Sequence, residues 1–288
     1  MTSFRARFAV VGLGTIALAV VAAGASQFPA LGAGALLHPL RRHVDAPPPA
    51  GCSEAKFSGA GINLAGWKCR ASGYRRGTLV YLHGAADNRE SSVATIQRFV
   101  PLGLDVVAYD SRAHGDSGGD VCTYGFFEKQ DLRQVIDSVE TGPIVLIGGS
   151  LGAAVALQAA ADDPRVHAVV AVETFSDLRT VASERAPFFF TSGIVARAFQ
   201  LAEQQGHFSV DAVSPVVAAA KIAVPVLLIH GDADVETPAD HSRRVFAALR
   251  EPKRLVLVPG ATHNGSLRPE IWDQIERWVR DVLDHTSS

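Results

Sequence analysis

Cysteine is scarce in this 288-residue chain, with three residues, and neither sign of charge is in excess: 27 Lys and Arg stand against 29 Asp and Glu, a formal net charge of −2. That balance leaves no global basic field, and the basic residues are scattered apart from short pairs such as Arg75-Arg76 and Arg243-Arg244. A nucleic-acid partner is therefore not expected. The sequence contains no His-Glu-x-x-His, no Cys-x-x-Cys and no Gly-x-x-x-x-Gly-Lys-Ser/Thr, so neither a metal site nor a phosphate loop has support, and no cofactor is expected. There is no internal repeat. With 48% hydrophobic residues the chain can bury one large core, and a single α/β domain of this length is ordinary.

Charge is missing altogether from Phe8 to Leu37, and Arg5 and Arg7 precede this run. Such a pattern fits a secretory signal, with Ala23-Gly24-Ala25 as a small-residue cleavage site, or a membrane anchor, since the run exceeds the roughly 20 residues that span a bilayer. Retention as an anchor is the reading preferred, and Arg41 and Arg42 on the far side leave its orientation open. Gly12-Leu13-Gly14-Thr15-Ile16-Ala17 imitates a dinucleotide-binding turn, but the apolar character never breaks and no acid appears before Asp45, so that reading fails. Pro47-Pro48-Pro49 then reads as a stiff spacer, dividing an N-terminal segment, 1–50, from a globular domain, 51–288.

In that domain a turn at Gly59-Ala60-Gly61, with Ala60-Gly61 as a two-residue loop, pairs Cys52 with Cys69 across a hairpin. A disulfide is expected there, given the export-like N-terminus; two reduced thiols are the alternative. Cys122 is left over, with no local signature of catalysis or metal binding. Beyond the hairpin, strand-like runs at Thr78 to His83, Leu104 to Tyr109, Ile144 to Ile147, Ala168 to Val172, Val226 to His230 and Leu255 to Val258 alternate with helix-like runs. The latter are Ser91 to Val100, Glu128 to Glu140, Gly152 to Ala161, Ala239 to Leu249 and Pro269 to Leu283. The alternation predicts an α/β fold whose sheet is mostly parallel with helices on both faces. Thr174 to Ile222 is too long for a simple crossover and reads as a small helical cap over the carboxyl ends of the strands, carrying Phe188-Phe189-Phe190, Phe199 and Phe208 as a candidate apolar wall.

Gly148-Gly149-Ser150-Leu151-Gly152 lies between the strand-like Pro143 to Ile147 and the Ala-rich Ala153 to Ala161. In that setting it reads as a nucleophile elbow, a turn so sharp that the serine is strained and its neighbours must be glycines. Two polar groups follow on later strand ends, His230-Gly231-Asp232-Ala233-Asp234 and Gly260-Ala261-Thr262-His263-Asn264. Serine, acid and histidine thus share one edge of a parallel sheet.

Together with Leu82-His83-Gly84 and the run from Tyr109 to Gly119, these residues make the chain resemble the α/β-hydrolase superfamily, and within it the bacterial serine hydrolases that include monoacylglycerol-lipase-like and depalmitoylase-like esterases. The resemblance covers roughly 78–265. It implies Ser150 as nucleophile, His263 as general base, and Asp234 as the acid of a His-Gly-x-x-Asp pattern, with Asp232 as competitor. It further implies an oxyanion hole of the backbone N–H groups of Leu151 and Ala85. His83 and His230 are expected to shape their loops, and Arg112 and His114 to hold loops together. The expected activity is cleavage of carboxylic or thio esters through an acyl-enzyme, on a small-molecule substrate with lipid-like esters among the candidates, by a membrane-anchored or secreted protein. A serine peptidase or aminopeptidase and a non-catalytic binding protein on the same fold are the alternatives.

Overall fold

The computed structural model describes residues 26–285. A hairpin, β1 (Cys52–Ser58) and β2 (Asn63–Cys69), opens the domain. It is followed by β3 (Gly77–Leu82), α2 (Val93–Phe99), β4 (Leu104–Tyr109), α3 (Glu128–Asp137), β5 (Ile144–Gly149), α4 (Leu151–Ala160) and β6 (Val166–Val172). Then come α5 (Leu178–Glu184), α6 (Ser192–Gly206), α7 (Pro215–Ala219), β7 (Val226–Gly231), α8 (Asp240–Ala248), β8 (Lys253–Val258) and α9 (Pro269–His285). Ahead of them all lies α1 (Phe28–Leu37). The eight strands form one sheet in the order β1-β2-β4-β3-β5-β6-β7-β8, antiparallel at β1-β2 and β2-β4 and parallel from β4 to β8.

β3 and β4 are buried at every position, which is why they are rich in Leu, Val, Ala and Tyr on both faces rather than alternating with exposed polar residues. Val80, Val107 and Leu146 point to a core shared with α3, α4, α7 and α8; Leu79, Val106 and Val145 point to the opposite core, filled by α2 and α9. α4 is buried along all ten residues, so it has no polar face, and its alanines and Gly152 let it press on the sheet. α9 shows the contrary pattern, with Ile271, Trp272, Ile275, Val279 and Leu283 buried on one stripe, the signature of a helix covering a sheet from the solvent side.

The hairpin register is the one its turn implies: the Gly59 N–H bonds to the Ile62 carbonyl, Cys52 stands opposite Cys69, and the two are joined in a disulfide. Cys122 is a buried free thiol, its pKa pushed well up by burial. Helix limits shift where side chains intervene. The run expected from Ser91 to Val100 begins as a 3₁₀ turn at Arg89–Ser92, because the Asn88 side chain caps it by accepting the Glu90 N–H. The one expected to reach Glu140 ends at Asp137, where the Ser138 hydroxyl turns back to the Val135 carbonyl.

The N-terminal segment departs most from expectation. The described part of the uncharged run forms α1, which packs on α6 and buries Ala33 and Leu37 in the cluster that also holds Leu178, Phe199 and Phe208. Residues 38–46 are not a free linker: Arg41 donates to the Ser117 and Gly119 carbonyls, Asn88 to the Arg42 and His43 carbonyls, and Glu90 accepts the Asp45 and Ala46 N–H groups. The triproline therefore follows a strap already fixed to the domain. Among the described residues no helix is long and apolar enough to cross a membrane; Phe8 to Ala25, and with them the Ala23-Gly24-Ala25 and Gly12 to Ala17 readings, lie outside the described residues.

Candidate active site

Ser150 links the end of β5 to the start of α4 with φ 48° and ψ −111°, a conformation that a residue with a Cβ adopts only under constraint. The constraint is visible in its glycines. A Cβ on Gly148 would lie 2.4 Å from the Gly152 carbonyl, and one on Gly152 would lie 2.1 Å from the Leu82 carbonyl oxygen. The Ser150 N–H is held by the Val172 carbonyl at 2.8 Å, so the elbow is pinned to the end of the neighbouring strand, and the hydroxyl is raised above the carboxyl edge of the sheet.

His263 comes to it from the loop after β8. Its Nε2 lies 3.2 Å from Ser150 Oγ, and its Nδ1 lies 2.7 Å from Asp234 Oδ2. A carboxylate only accepts, so the ring proton belongs on Nδ1, and Nε2 is left with a lone pair facing the serine hydroxyl. Asp234 is buried in the turn after β7, where its Oδ1 accepts the N–H groups of Glu236 and Thr237, each at 2.9 Å. Asp232 does not take part: it is exposed and accepts the Gly260 N–H. The chain Ser150 to His263 to Asp234 can move the serine proton to an imidazole whose charged form faces a fixed carboxylate.

The loop after β3 runs alongside. A Cβ on Gly84 would sit 3.7 Å from the Cβ of Ser150, so the backbone next to Ala85 borders the serine, while Leu151 opens α4, whose N-terminal end carries the positive pole of the helix dipole. His83 fixes this loop: its Nε2 accepts the Ser111 N–H and its Nδ1 donates to the Gly84 carbonyl. His230 fixes the acid's turn by donating from Nε2 to the Thr237 carbonyl and accepting from the Ser242 hydroxyl at Nδ1. Arg112 forks onto both oxygens of Asp131, at 2.7 Å each, and His114 donates to the Arg112 carbonyl. These four side chains shape loops.

One participant was not singled out from the sequence. Glu173, the first residue after β6, is buried and takes φ 55°. Its carboxylate accepts the N–H groups of Asn264 and Ser266 and the Ser266 hydroxyl, and its Oε2 lies 3.8 Å from Nδ1 of His263. The available signal was its place: an acid directly following a strand buried on both faces, on the edge that carries the serine. Glu173, Asp234 and His263 are also the one cluster of metal-ligating types among the described residues. Their lone pairs, however, are committed to backbone N–H groups and to one another, which suits them to orienting an imidazole.

A second serine-histidine-acid chain shows what the first has in addition. Ser176 Oγ lies 2.9 Å from His241 Nδ1, and His241 Nε2 lies 2.8 Å from Glu184, yet Ser176 and His241 have no exposed surface. It is a clamp between α5 and α8. With Arg185, which donates to the Glu236 carbonyl and the Thr237 hydroxyl, it ties the helices between β6 and β7 to the turn holding Asp234.

Those helices also enclose an apolar cavity of about 270 Å³, walled by Gly32 and Leu36 of α1, Val181 of α5, Phe190, Phe199 of α6 and Tyr124. Neither Ser150 nor His263 is among its lining residues. One of its lining residues, Tyr124, is tied to the far end of α4, where Gln158 donates to the Tyr124 carbonyl. The phenylalanines expected as one wall divide: Phe199 and Phe208 are buried in the packing of these helices, while Phe188 is 99% exposed and Phe189 50%.

Among known proteins, YqkD of Bacillus subtilis, an uncharacterized protein, is 30% identical over 196 residues, covering 65% of this chain and 64% of that protein. The chain thus spans under two thirds of the length of that relative. A palmitoyl-protein thioesterase of mouse mitochondria, ABHD10, is 31% identical over 104 residues, 34% of this chain and 35% of that protein. In three dimensions the esterase Pf2001 of Pyrococcus furiosus superposes with a TM-score of 0.69 at 21% identity, covering 86% of this chain and 98% of its own; at that identity the likeness speaks for the fold. The sequence model of the alpha/beta hydrolase family matches residues 79–273, a stretch that runs from β3 through Ser150, Asp234 and His263 into α9, and the chain belongs to that family.

Proposed function

We propose that the protein is a serine hydrolase that cleaves carboxylic esters, thioesters included, through an acyl-enzyme on Ser150. The observation that carries the reading is the unbroken relay from Ser150 Oγ to His263 Nε2 at 3.2 Å and from His263 Nδ1 to Asp234 at 2.7 Å. Ser150 Oγ attacks the acyl carbonyl as its proton passes to His263 Nε2. The same proton then goes to the departing alcohol or thiol as the carbonyl reforms. A water molecule repeats the sequence in reverse, giving its proton to His263 and its oxygen to the acyl group, which leaves as the acid while Ser150 regains its proton. Asp234 keeps the imidazole in the acceptor tautomer and balances the imidazolium. The N–H groups of Leu151 and Ala85 receive the oxyanion, each such donor contributing about 3 kcal/mol to the transition state.

The acyl group in this reading is apolar. Support comes from the cavity between α1, α5 and α6, whose lining is almost wholly aliphatic and aromatic, and from the relative named as a palmitoyl-protein thioesterase. The catalytic domain is proposed to work outside the cytoplasm, held by the N-terminal segment or released from it; the Cys52–Cys69 disulfide suits an oxidising compartment.

A paired substrate panel tests the reading: p-nitrophenyl esters and acyl thioesters of increasing chain length against aminoacyl and dipeptidyl amides. Ester and thioester cleavage rising with chain length and exceeding amide cleavage is the expected outcome. A preference for the amides would make the protein a peptidase of the same fold, and no turnover of any substrate by protein that reacts with no fluorophosphonate would leave a binding protein.

A further inference from the structure

At the outer end of the helices between β6 and β7, four phenylalanines gather without being buried. Phe28, at the start of α1, stacks on Phe190 with ring centroids 5.5 Å apart and tilts against Phe189 at 5.7 Å; Phe188 meets Phe189 edge-on at 5.4 Å. Phe188 is 99% exposed, Phe189 50%, and Leu31, three residues after Phe28 and so on the same face of α1, is 62% exposed. Rings that pack on one another yet face outward form a continuous apolar rim, which water alone does not favour. Phe190 belongs both to this rim and to the wall of the apolar cavity.

Two properties of the chain say what meets the rim. In the sequence, the uncharged run that begins at Phe8 continues through Phe28 to Leu37, so a long uncharged stretch directly precedes the exposed rings. Charge is also sparse in the segments that supply the rim: residues 28–37 hold no charged side chain, and 185–190 hold only Arg185. An exposed aromatic surface that continues a long uncharged run complements a lipid interface.

We infer that the rim of Phe28, Leu31, Phe188 and Phe189 seats on the surface of a lipid bilayer, with the apolar cavity opening behind it. Lipid chains are then the neighbours of the cavity. The inference concerns docking and stands apart from the chemistry at Ser150.

The test uses the full chain carrying Phe188→Cys labelled with nitrobenzoxadiazole; Cys122 is buried and the other two cysteines are bonded to each other, so the label goes to the new thiol. Arg277→Cys on α9, exposed and remote in sequence from the rim, is the control. Both proteins are mixed with phosphatidylcholine–phosphatidylglycerol vesicles bearing nitroxide on the upper acyl chain. The expected result is flotation of both proteins, with a blue shift and loss of most emission at 188 and neither change at 277. A label at 188 that stays in a water-like environment on floated protein overturns the inference. So does a label already shielded before vesicles are added, which would mean that residues 8–25 or a second copy cover the rim, or failure of the full chain to float. Fluorophosphonate labelling of both variants checks the fold and Ser150 independently of the lipid result.

Discussion

Glu173 Oε2 lies 3.8 Å from Nδ1 of His263, the same ring nitrogen that Asp234 approaches to 2.7 Å. The two carboxylates divide the work. Asp234 bonds to the ring itself, and Glu173 binds the backbone of the two positions that flank Gly265, just past the histidine, through Asn264 and Ser266. Asn264 takes φ 62°, a left-handed conformation that needs an external hold in a residue with a Cβ. Glu173→Gln keeps the shape but turns an amide NH₂ toward donors that need an acceptor. As a positioning residue its loss shows in kcat with KM little changed, a fall of about 10² for a displacement near 1 Å. Steady-state kinetics on one ester give both constants, and an unchanged kcat would remove Glu173 from the account.

Asp234 and Asp232 stand two residues apart in one turn, and only the first faces His263. Asp234→Asn would leave an amide that cannot hold the required tautomer, and kcat falls about 10⁴-fold. Asp232→Asn keeps an oxygen that accepts the Gly260 N–H, removes only an exposed charge, and leaves kcat/KM close to that of the parent protein. The pair of variants, assayed side by side, reads out the assignment.

The Cys52–Cys69 bridge closes a loop across a sequence separation of 17 at the edge of the sheet. In the chain-entropy view a loop of that size contributes about 3 kcal/mol. A double variant, Cys52→Ser with Cys69→Ser, is expected to lower the unfolding free energy by that amount, read as a lower urea midpoint, while leaving ester turnover at low denaturant intact, because neither residue touches the site. A thiol count on the unreduced, denatured protein should find one free thiol, Cys122.

Acid should weaken the fold through buried imidazoles. Burial, with the His83 ring 5.1 Å away, pushes the pKa of His114 down to about 4, and burial also lowers those of His83 and His241. An unfolded imidazole takes its proton near pH 6.5, so between pH 6.5 and about 4 the unfolded chain binds more protons than the folded one. The stability is fully present above pH 6.5, falls as pH drops through that window, and levels off below it. At 1.36 kcal/mol per unit, His114 alone accounts for about 3 kcal/mol. Urea titrations at pH 7 and pH 5 measure the slope, which His114→Gln should flatten whatever it does to the stability at pH 7.

What could be read from the sequence was set by how local its cause is. Continuous apolar runs placed β3 to β8 to within two residues, and the turn at Ala60-Gly61 fixed the pairing of Cys52 with Cys69, since register follows directly from loop length. That Ser150, Asp234 and His263 meet was legible because each sits where a strand ends. Glu173 also sits there, but its role depends on a loop that lies far along the chain, and a lone acid after a strand carries no pattern. The fate of residues 28–46 was illegible for a similar reason: Arg41 finds the Ser117 and Gly119 carbonyls only after the Gly-rich loop has folded, and an uncharged run before a triproline looks alike whether it is free or strapped down. The exposed Phe188 and the buried Phe199 likewise cannot be told apart by composition.

The central claim is that Ser150 is the nucleophile. Incubation of the full chain with a fluorophosphonate, followed by peptide mass mapping, tests it most directly. The account predicts one phosphonylated site, Ser150, with labelling and ester turnover both lost in Ser150→Ala. Labelling at Ser176 or elsewhere, or turnover retained in correctly folded Ser150→Ala, would contradict it.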